Sequence, residues 1–196
     1  MKDLDTTFFN LTTAKRPIAR GSLLVAQPFL NEVWFDRAVI SVIDYDDADG
    51  ATGVVLNNGM NYTLDQVLDG VGDAGRNVPV FCGGPLSQDR LYFIHTLGEE
   101  IIPGAREYAP GLYIGGDFER IIDYVNEGYP VDGYVRFFIG YSGWTGGQLE
   151  KEVREDTWAV KPSDIETADL LHGDGDSYWH RIVKTMGPEY RSWRFV

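Results

Sequence analysis

The hydrophobic positions of this chain fall into short apolar runs in its first half and helix-spaced stripes later. The runs at residues 22–26 and 37–46 are apolar and rich in Val and Ile, which is typical of buried strands. Asp49-Gly50 supplies turn chemistry, and the run after it predicts a hairpin with the second strand. Five further runs predict strands, in the order "VPVFC", "DRLYFIHTL", "PGLYI", "GYVRFFIGYSG" and "TWAVK".

Apolar residues spaced three and four apart predict helices singly between the later strands. Thr63 caps the first and Asp117 the second, which Gly128 ends. The other two are "GGQLEKEVRED" and "DSYWHRIVKTMG". Because strands and helices do not alternate regularly, the pattern predicts an α+β fold with a mixed, strongly bent sheet and peripheral helices.

The length of the chain, 196 residues with 43% hydrophobic residues, predicts a single folded domain. Residues 1–15 are polar and are expected to form a flexible N-terminal arm, with the domain spanning 16–196. The N-terminal segment lacks the apolar centre of a signal peptide, and no apolar run approaches the roughly 18 residues of a membrane helix. A cytoplasmic location without membrane contact is therefore expected.

The charge balance narrows the range of partners. The chain has 17 basic and 30 acidic residues, a net charge of −13, which opposes direct binding to nucleic acid or anionic lipid. The richest basic group is Arg181, Lys184, Arg191 and Arg194, and a solvated helix face explains it more simply than a nucleic-acid site. With Cys82 as its single cysteine, the chain cannot form an intrachain disulfide or a multi-thiolate metal site, and we predict no metal or cofactor.

The segment "RFFIGYSGWTGGQLE" raises two chemical possibilities. A nucleophile elbow, Gly-x-Ser-x-Gly, would make Ser142 a hydrolase nucleophile, but Gly143 comes one residue early and Trp144 stands in the second glycine position. A phosphate-binding loop would need a nearby Lys or Arg, and this segment offers Glu150 instead. We therefore assign no catalytic residue here and favour a structural corner.

A second corner lies at Gly83-Gly84-Pro85, where two glycines and a proline at a strand end indicate close approach to another backbone segment. Asn57 is expected to bridge backbone groups nearby, and His95 to be partly buried and hydrogen-bonded. We hypothesise that the corners at 57, 83–85 and 141–144 converge into a small cleft. Tyr141 and Trp144 would then form one of its walls.

Three segments, 21–57, 80–96 and 140–158, carry a family resemblance in their order and spacing. Across roughly residues 18–190 the chain resembles the AlgH/YqgE family of uncharacterised bacterial proteins. The resemblance implies a compact domain whose sheet folds into a pseudo-barrel with helices outside, and no established reaction or cofactor. The residues at the family's motif positions are Gly83, Gly84, Pro85, Tyr141, Gly143, Trp144, Gln148 and Glu150. Some members are labelled transcriptional regulators.

The leading functional hypothesis is a non-catalytic regulatory or interaction protein that binds a protein partner or a small ligand. One alternative is a hydrolase-like enzyme using His95 or Glu150 in a cleft near Tyr141 and Trp144. Another is a transcriptional regulator that contacts DNA directly. A deep pocket with His95 beside a carboxylate would favour the enzyme, and an exposed aromatic patch would favour the interaction protein.

Overall fold

The computed structural model describes residues 15–162 and 167–196, with the side chains of 167 and 168 left aside. Within these residues, ten strands form one sheet. They are β1 Leu23–Ala26, β2 Val39–Asp46, β3 Gly50–Val55, β4 Gly59–Thr63, β5 Pro79–Cys82, β6 Leu86–His95, β7 Arg106–Ala109, β8 Leu112–Ile114, β9 Val135–Trp144 and β10 Trp158–Lys161.

The strands follow the spatial order β10-β1-β2-β3-β9-β6-β8-β7, and β4 joins through β5, which pairs with β9. The β5–β9 pair is parallel and the others are antiparallel, so the sheet is mixed. Because β10 and β7 do not pair with each other among the described strands, the sheet bends without closing. This confirms the predicted α+β class and bent sheet.

Strand β9 makes the bend possible by changing partners along its length. Residues 137–139 pair with β5, and residues 142–144 pair with β3. Between them lies Gly140, whose φ of 72° is accessible to glycine at little cost. The other edge of β9 pairs with β6 from Val135 to Tyr141. One strand therefore joins the two halves of the sheet.

Five α-helices in the described part of the chain pack around the sheet: α1 Leu64–Val67, α2 Phe118–Asn126, α3 Gln148–Arg154, α4 Thr167–Leu170 and α5 Gly175–Lys184. The same residues include 3₁₀ helices at Asp73–Asn77 and Pro188–Phe195. The predicted caps are confirmed, because Thr63 and Gln66 form a capping box and Asp117 accepts a hydrogen bond from the amide of Arg120. Gly128, with φ at 81°, follows α2.

The core divides into three clusters on the faces of the sheet. One packs β1, β2 and β9 against α5 and the last 3₁₀ helix, where Trp179 and Trp193 stack with centroids 6.1 Å apart. A second lies under α3 and contains Trp144 and Trp158. The third lies between β5, β6, β9 and α2. Helices thus cover the sheet from several sides, as expected for a bent α+β sheet.

Residues 1–14 of the predicted N-terminal arm lie outside the described residues. Lys15, the last residue of that arm, donates a hydrogen bond of 2.8 Å to the carbonyl oxygen of Val153 and also contacts Asp156. The domain boundary at residue 15 stays a prediction.

Candidate functional site

The corner at Gly83-Gly84-Pro85 packs directly on the backbone of β9. The Gly83 amide donates to the carbonyl oxygen of Ile139 at 2.8 Å, and its carbonyl accepts from the amide of Val55 at 2.9 Å. A Cβ atom on Gly83 would clash with the carbonyl oxygen of Gly140. The close approach predicted for these glycines is therefore present, and we call this contact the glycine junction (residues 83–84 and 140–143).

Two more glycines of the glycine junction, and the proline beside it, show how closely it is packed. Gly84, at φ 148°, has no room for a Cβ beside the side chain of Ser142. A Cβ on Gly143 would lie 2.9 Å from Cδ1 of Leu86, so this glycine also allows close packing. Pro85 is exposed in the turn between β5 and β6. The junction is therefore filled by backbone and leaves no cleft between its two strands.

Ser142 lies inside this junction and is fully buried. Its hydroxyl donates a hydrogen bond of 3.1 Å to the carbonyl oxygen of Gly83. A nucleophile must have its oxygen exposed to substrate and hydrogen-bonded to a base. Ser142 meets neither condition and instead fastens β9 to the turn that follows β5.

Tyr141 and Trp144 lie on opposite faces of the sheet. The strand continues through Trp144, and residues three positions apart on a strand point to opposite sides. Tyr141 packs on the cluster beneath α5, with its ring edge-on to Tyr92 at 5.9 Å, whereas Trp144 belongs to the cluster beneath α3. The two side chains therefore do not form one wall of one cleft.

Trp144 is held by Glu152, a residue that the sequence reasoning did not select. One oxygen of Glu152, Oε2, accepts hydrogen bonds of 2.8 Å from the indole N–H groups of both Trp144 and Trp158. Its other oxygen accepts from Nε2 of Gln148 at 2.9 Å. The i, i+4 spacing of Gln148 and Glu152 on a helix was the available signal. Gln148 and Trp144 thus belong to a polar network that runs from the exposed face of α3 to two buried indole rings.

Glu150 anchors the tip of the β2–β3 hairpin. Its Oε1 accepts a hydrogen bond of 2.7 Å from the hydroxyl of Tyr45, which also contacts Asp47. Partial burial, followed by these two carboxylates, raises the pKa of Tyr45 well above its ordinary value. Glu150 therefore holds a neutral phenol rather than facing a substrate pocket.

His95 is fully buried, with its ring stacked between Phe93 and Tyr113 at 5.7 Å from each. Its Nδ1 accepts from the amide of Leu97 at 3.3 Å, so Nε2 carries the proton and donates to the carbonyl oxygen of Gly115 at 3.1 Å. Burial lowers the pKa of His95, against the opposite effect of the Gly115 bond. Both ring nitrogens are occupied.

The register of β6 and β9 separates His95 from Tyr141. His95 lies opposite Val135, and Tyr141 lies opposite Leu86. Tyr141 comes six residues after Val135 on β9, a distance of about 20 Å at roughly 3.3 Å per residue. The structure therefore does not bring His95 and the Tyr141–Trp144 segment into one site.

Asn57 bridges backbone groups, as predicted, and its partners belong to the β2 and α5 segments rather than to the Tyr141–Trp144 corner. Its Oδ1 accepts from the amide of Val39 at 2.8 Å, and its Nδ2 donates to the carbonyl oxygens of Arg37 and Gly175 at 2.9 and 3.0 Å. Next to it, the carbonyl of Asn58 accepts from the amide of Cys82 at 2.8 Å. Asn57 thus joins β2 to the start of α5 beside the glycine junction.

A groove of about 250 Å³ opens on this side of Asn57, and we call it the Asn57 groove. The segment before β2, residues 27–37, borders it and is called here the Trp34 loop. Three of its apolar side chains are exposed: Phe29 by 52%, Val33 by 94% and Trp34 by 40%. The groove is lined by Val33, Trp34, Asp36, Ala38, Val55, Asn57, Asn58, Gly175 and Asp176. The Trp34 loop was not selected from the sequence.

Tyr141 borders a second, open cavity of about 310 Å³. Its walls come mainly from β2 and β3, with Tyr92 and Ile114 opposite. At its edge, Arg106 donates to both oxygens of Asp44, at 3.0 and 2.7 Å, and Arg20 lies 3.3 Å from the same carboxylate. The charges at this edge are therefore already paired with each other.

The basic residues near the C-terminus largely serve backbone carbonyls. Arg181 donates to the carbonyl oxygen of His172 at 2.6 Å, and Arg194 donates to those of Lys184 and Met186 at 3.2 and 3.3 Å. Cations near the C-terminal end of a helix interact favourably with its dipole. The structure therefore gives Arg181 and Arg194 local structural roles.

Two searches of the described part of the chain gave negative results. Among residues 15–162 and 167–196, no group of three or more His, Cys, Asp or Glu side chains is arranged to hold a metal ion. No helix in these same ranges has the length and apolar character needed to span a bilayer.

These observations define an α+β protein with an open, bent sheet, a packed glycine junction and an exposed aromatic loop beside a groove. The chain belongs to the AlgH-like family, whose family model matches residues 23–191. A UPF0301 protein of Parabacteroides distasonis is 40% identical over 174 residues, covering 89% of this chain and 86% of the relative. A UPF0301 protein of Bacteroides thetaiotaomicron is 35% identical over 191 residues, covering 97% and 94%.

Two solved structures share the fold. A crystal structure of a Corynebacterium diphtheriae protein superposes with a TM-score of 0.72 at 20% identity, covering 97% of this chain and 98% of that one. The solution structure of AlgH from Pseudomonas aeruginosa gives a TM-score of 0.70 at 22% identity, covering 89% and 93%. At these identities the likeness establishes the fold.

Proposed function

We propose that this protein is a non-catalytic interaction protein with a regulatory role, and that it binds a basic, partly apolar segment of a partner protein. The Trp34 loop and the Asn57 groove form the binding surface. The observation that carries this proposal is the exposure of Phe29, Val33 and Trp34 within six residues of chain, beside an open groove. Clustered exposed apolar side chains mark interaction sites more often than scattered ones.

The loop is held in place before any partner arrives. Phe35 points inward and packs edge-on against Trp158 at 5.5 Å. The amides of Phe35 and Asp36 donate to the carbonyl oxygen of Glu32 at 3.0 and 2.9 Å, which closes a turn. A preformed loop loses less conformational entropy on binding. Val33 and Trp34 are therefore presented on a fixed base.

The charges around the groove favour a basic partner. Asp36 and Asp176 line the groove, and Glu32 lies in the neighbouring Trp34 loop. Arg37 is engaged by Asp176 at 3.6 Å and by His180 at 3.2 Å. The chain as a whole carries a charge of −13. Lys or Arg residues beside an apolar anchor would complement this surface and speed association.

The hydrogen bonds that Ser142 and His95 already make to the backbone support a non-catalytic role. The hydroxyl of Ser142 is bonded to a backbone carbonyl, and both nitrogens of His95 contact backbone groups. A hydrolase using either residue would first have to break those contacts.

We keep the cytoplasm as the proposed location of the interaction.

The proposal is tested with a synthetic peptide array rather than with cell extract. Twelve-residue peptides that combine Phe, Trp or Leu with Lys or Arg are compared with peptides in which Asp and Glu replace the basic residues. We expect the basic set to bind, and amide chemical shifts to change in residues 27–38, 57–58 and 175–176. Binding should weaken as salt rises, because the charges at the groove are exposed.

Two variants and one matched control sharpen this test. Trp34→Ala and Val33→Asp should each weaken binding of the selected peptides about tenfold or more, as expected for a central anchor. Tyr129→Ala is the control, because Tyr129 is exposed by 52%, as Phe29 is, but follows α2 outside the loop. Equal binding by Trp34→Ala and wild type, or shifts confined to other surfaces, would contradict the proposal.

A further inference from the structure

We propose a second, separate ligand site: the cavity beside Arg136 binds a small monocarboxylate with an apolar body. The cavity has a volume of about 220 Å³ and is lined by Asn77, Pro79, Phe81, Val131, Asp132, Val135, Arg136 and Leu171. It lies among β5, β9 and the segments before β9 and α5. It shares no lining residue with the Asn57 groove.

The cavity contains a buried positive charge. Arg136 is only 3% exposed, and its guanidinium lies over the ring of Phe81 with 4.1 Å between Cζ and the ring centroid. It donates hydrogen bonds to the carbonyl oxygens of Leu56 and Gly173, the second at 2.8 Å. A guanidinium has five N–H donors, so further donors remain for a ligand.

The charge of Arg136 has no carboxylate in direct contact among the described residues. Its hydrogen bonds go to neutral carbonyls, and Asp132 and Asp174 act on it only through the electric field. Burial lowers the pKa of Arg136 to about 10, so the side chain stays charged at neutral pH. A buried cation is costly unless paired, and an incoming anion would supply the missing pair.

The rest of the lining selects the body of the ligand. Val131, Val135, Leu171 and the ring of Phe81 give apolar walls, and the side chain of Asn77 adds one amide. The volume corresponds to several water molecules at roughly 30 Å³ each, which suits a molecule the size of benzoate. Arginine recognises carboxylates through paired, charge-assisted hydrogen bonds. The lining therefore favours an apolar carboxylate over inorganic phosphate.

Asp132 is the one carboxylate in the lining, and it acts against an anion. Its Oδ2 is bound by Nδ1 of His172 at 2.6 Å, and its side chain is 70% exposed. Asp132 thus lies at the solvent side of the cavity, and one of its carboxylate oxygens is hydrogen-bonded to His172. Replacing Asp132 with Asn removes this negative charge and should therefore increase the affinity for a carboxylate.

The test compares benzoate with benzamide, which has nearly the same shape but no charge. We expect benzoate to bind with chemical-shift changes at Arg136, Phe81 and Leu171, and benzamide to bind at least about tenfold more weakly, as the loss of a charge-assisted hydrogen bond predicts. Asp132→Asn should bind benzoate more tightly than wild type. Equal binding of the two compounds would overturn the proposal.

Because Arg136→Met removes a buried hydrogen-bonding group and can fail to fold, a cavity-filling variant supplies the decisive comparison. Val131→Phe should occupy the cavity, keep the fold and abolish the benzoate shifts. Ile101→Phe is the control, since it introduces the same phenyl ring at a position that is 40% exposed and outside both the cavity and the Asn57 groove. Benzoate binding that persists in Val131→Phe would place the ligand elsewhere and refute the site.

This proposal stands apart from the partner-binding function. If the peptide array fails while Val131→Phe abolishes benzoate binding, the carboxylate site holds and the partner surface does not. If benzoate and benzamide bind alike while Trp34→Ala loses peptide binding, the partner surface holds and the carboxylate site does not. The two surfaces share no residue, so one variant does not disturb both measurements.

Discussion

The glycine junction and the Trp34 loop sit on adjoining parts of the molecule and differ in nearly every physical property. In the junction, backbone touches backbone, Ser142 is fully buried and added Cβ atoms would clash. In the loop, Phe29, Val33 and Trp34 present side chains to solvent beside a groove. The residues with the strongest sequence motifs therefore build the sheet, while the surface available to a partner comes from a segment without a motif.

The largest expected effect comes from breaking the glycine junction itself. Gly83→Ala places a Cβ against the carbonyl oxygen of Gly140, a rigid backbone atom, and should destabilise the fold by about 3 kcal/mol or more. Urea denaturation measures it. Gly72→Ala is the control, because its nearest neighbour would be Oδ1 of Asn126 at 3.3 Å. Equal losses in the two variants would show that the junction is not tightly packed.

A smaller effect is expected at Glu152, which accepts hydrogen bonds from the two tryptophans of the cluster beneath α3. Glu152→Ala leaves the indole N–H groups of Trp144 and Trp158 without their shared acceptor and should cost about 2 kcal/mol. Thermal unfolding and tryptophan fluorescence report it together. Glu155→Ala serves for comparison, since that residue makes only an exposed pair with Lys151 at 3.8 Å. An unchanged melting temperature in Glu152→Ala would argue against the network.

Ser142→Ala tests the structural role of the hydroxyl within the junction. It removes the hydrogen bond to the carbonyl of Gly83 and should reduce stability by about 1 kcal/mol, with peptide binding unchanged. The measurement pairs urea denaturation with the peptide assay. A hydrolytic activity present in wild type and lost only in this variant would revive the nucleophile hypothesis.

The smallest effect on stability is expected at the Trp34 loop. Val33→Ser should change the free energy of unfolding by about 0.5 kcal/mol or less, because this side chain is 94% exposed and surface substitutions outside special features have little effect. The same variant should weaken peptide binding. A large loss of stability would show that this side chain is part of the core, and the contrast with the junction would fail.

Much of the fold was predictable because apolar periodicity tracks burial. The β2–β3 hairpin, the capped helices and the order of most strands follow from it. Strand β4 was missed because its residues are mostly exposed and lack alternation, and β7 was missed because its first two residues, Arg106 and Glu107, are charged and exposed. The bend at Gly140 depends on which strands β9 pairs with, and the sequence pattern does not encode partner choice.

The candidate site was less predictable, for reasons of register and strand length. The sequence reading ended the ninth strand before Trp144, which hid the fact that Tyr141 and Trp144 face opposite ways. The distance from His95 to Tyr141 follows only from the β6–β9 register. The bridging role of Asn57 was predictable, because its amide suits backbone groups at a strand end. The Trp34 loop had no periodicity to mark it.

The partner change along β9 has a consequence for how the chain is made. Strands β3, β5 and β6 all precede β9 in the chain, so on the ribosome each emerges with an open edge where β9 belongs. Pairings as distant as Leu23 with Lys161 wait even longer. Such late, long-range pairing is slow and leaves unpaired, aggregation-prone strand edges exposed during synthesis. Nascent chains stalled before residue 135 should therefore bind chaperones, and those released after residue 162 should not.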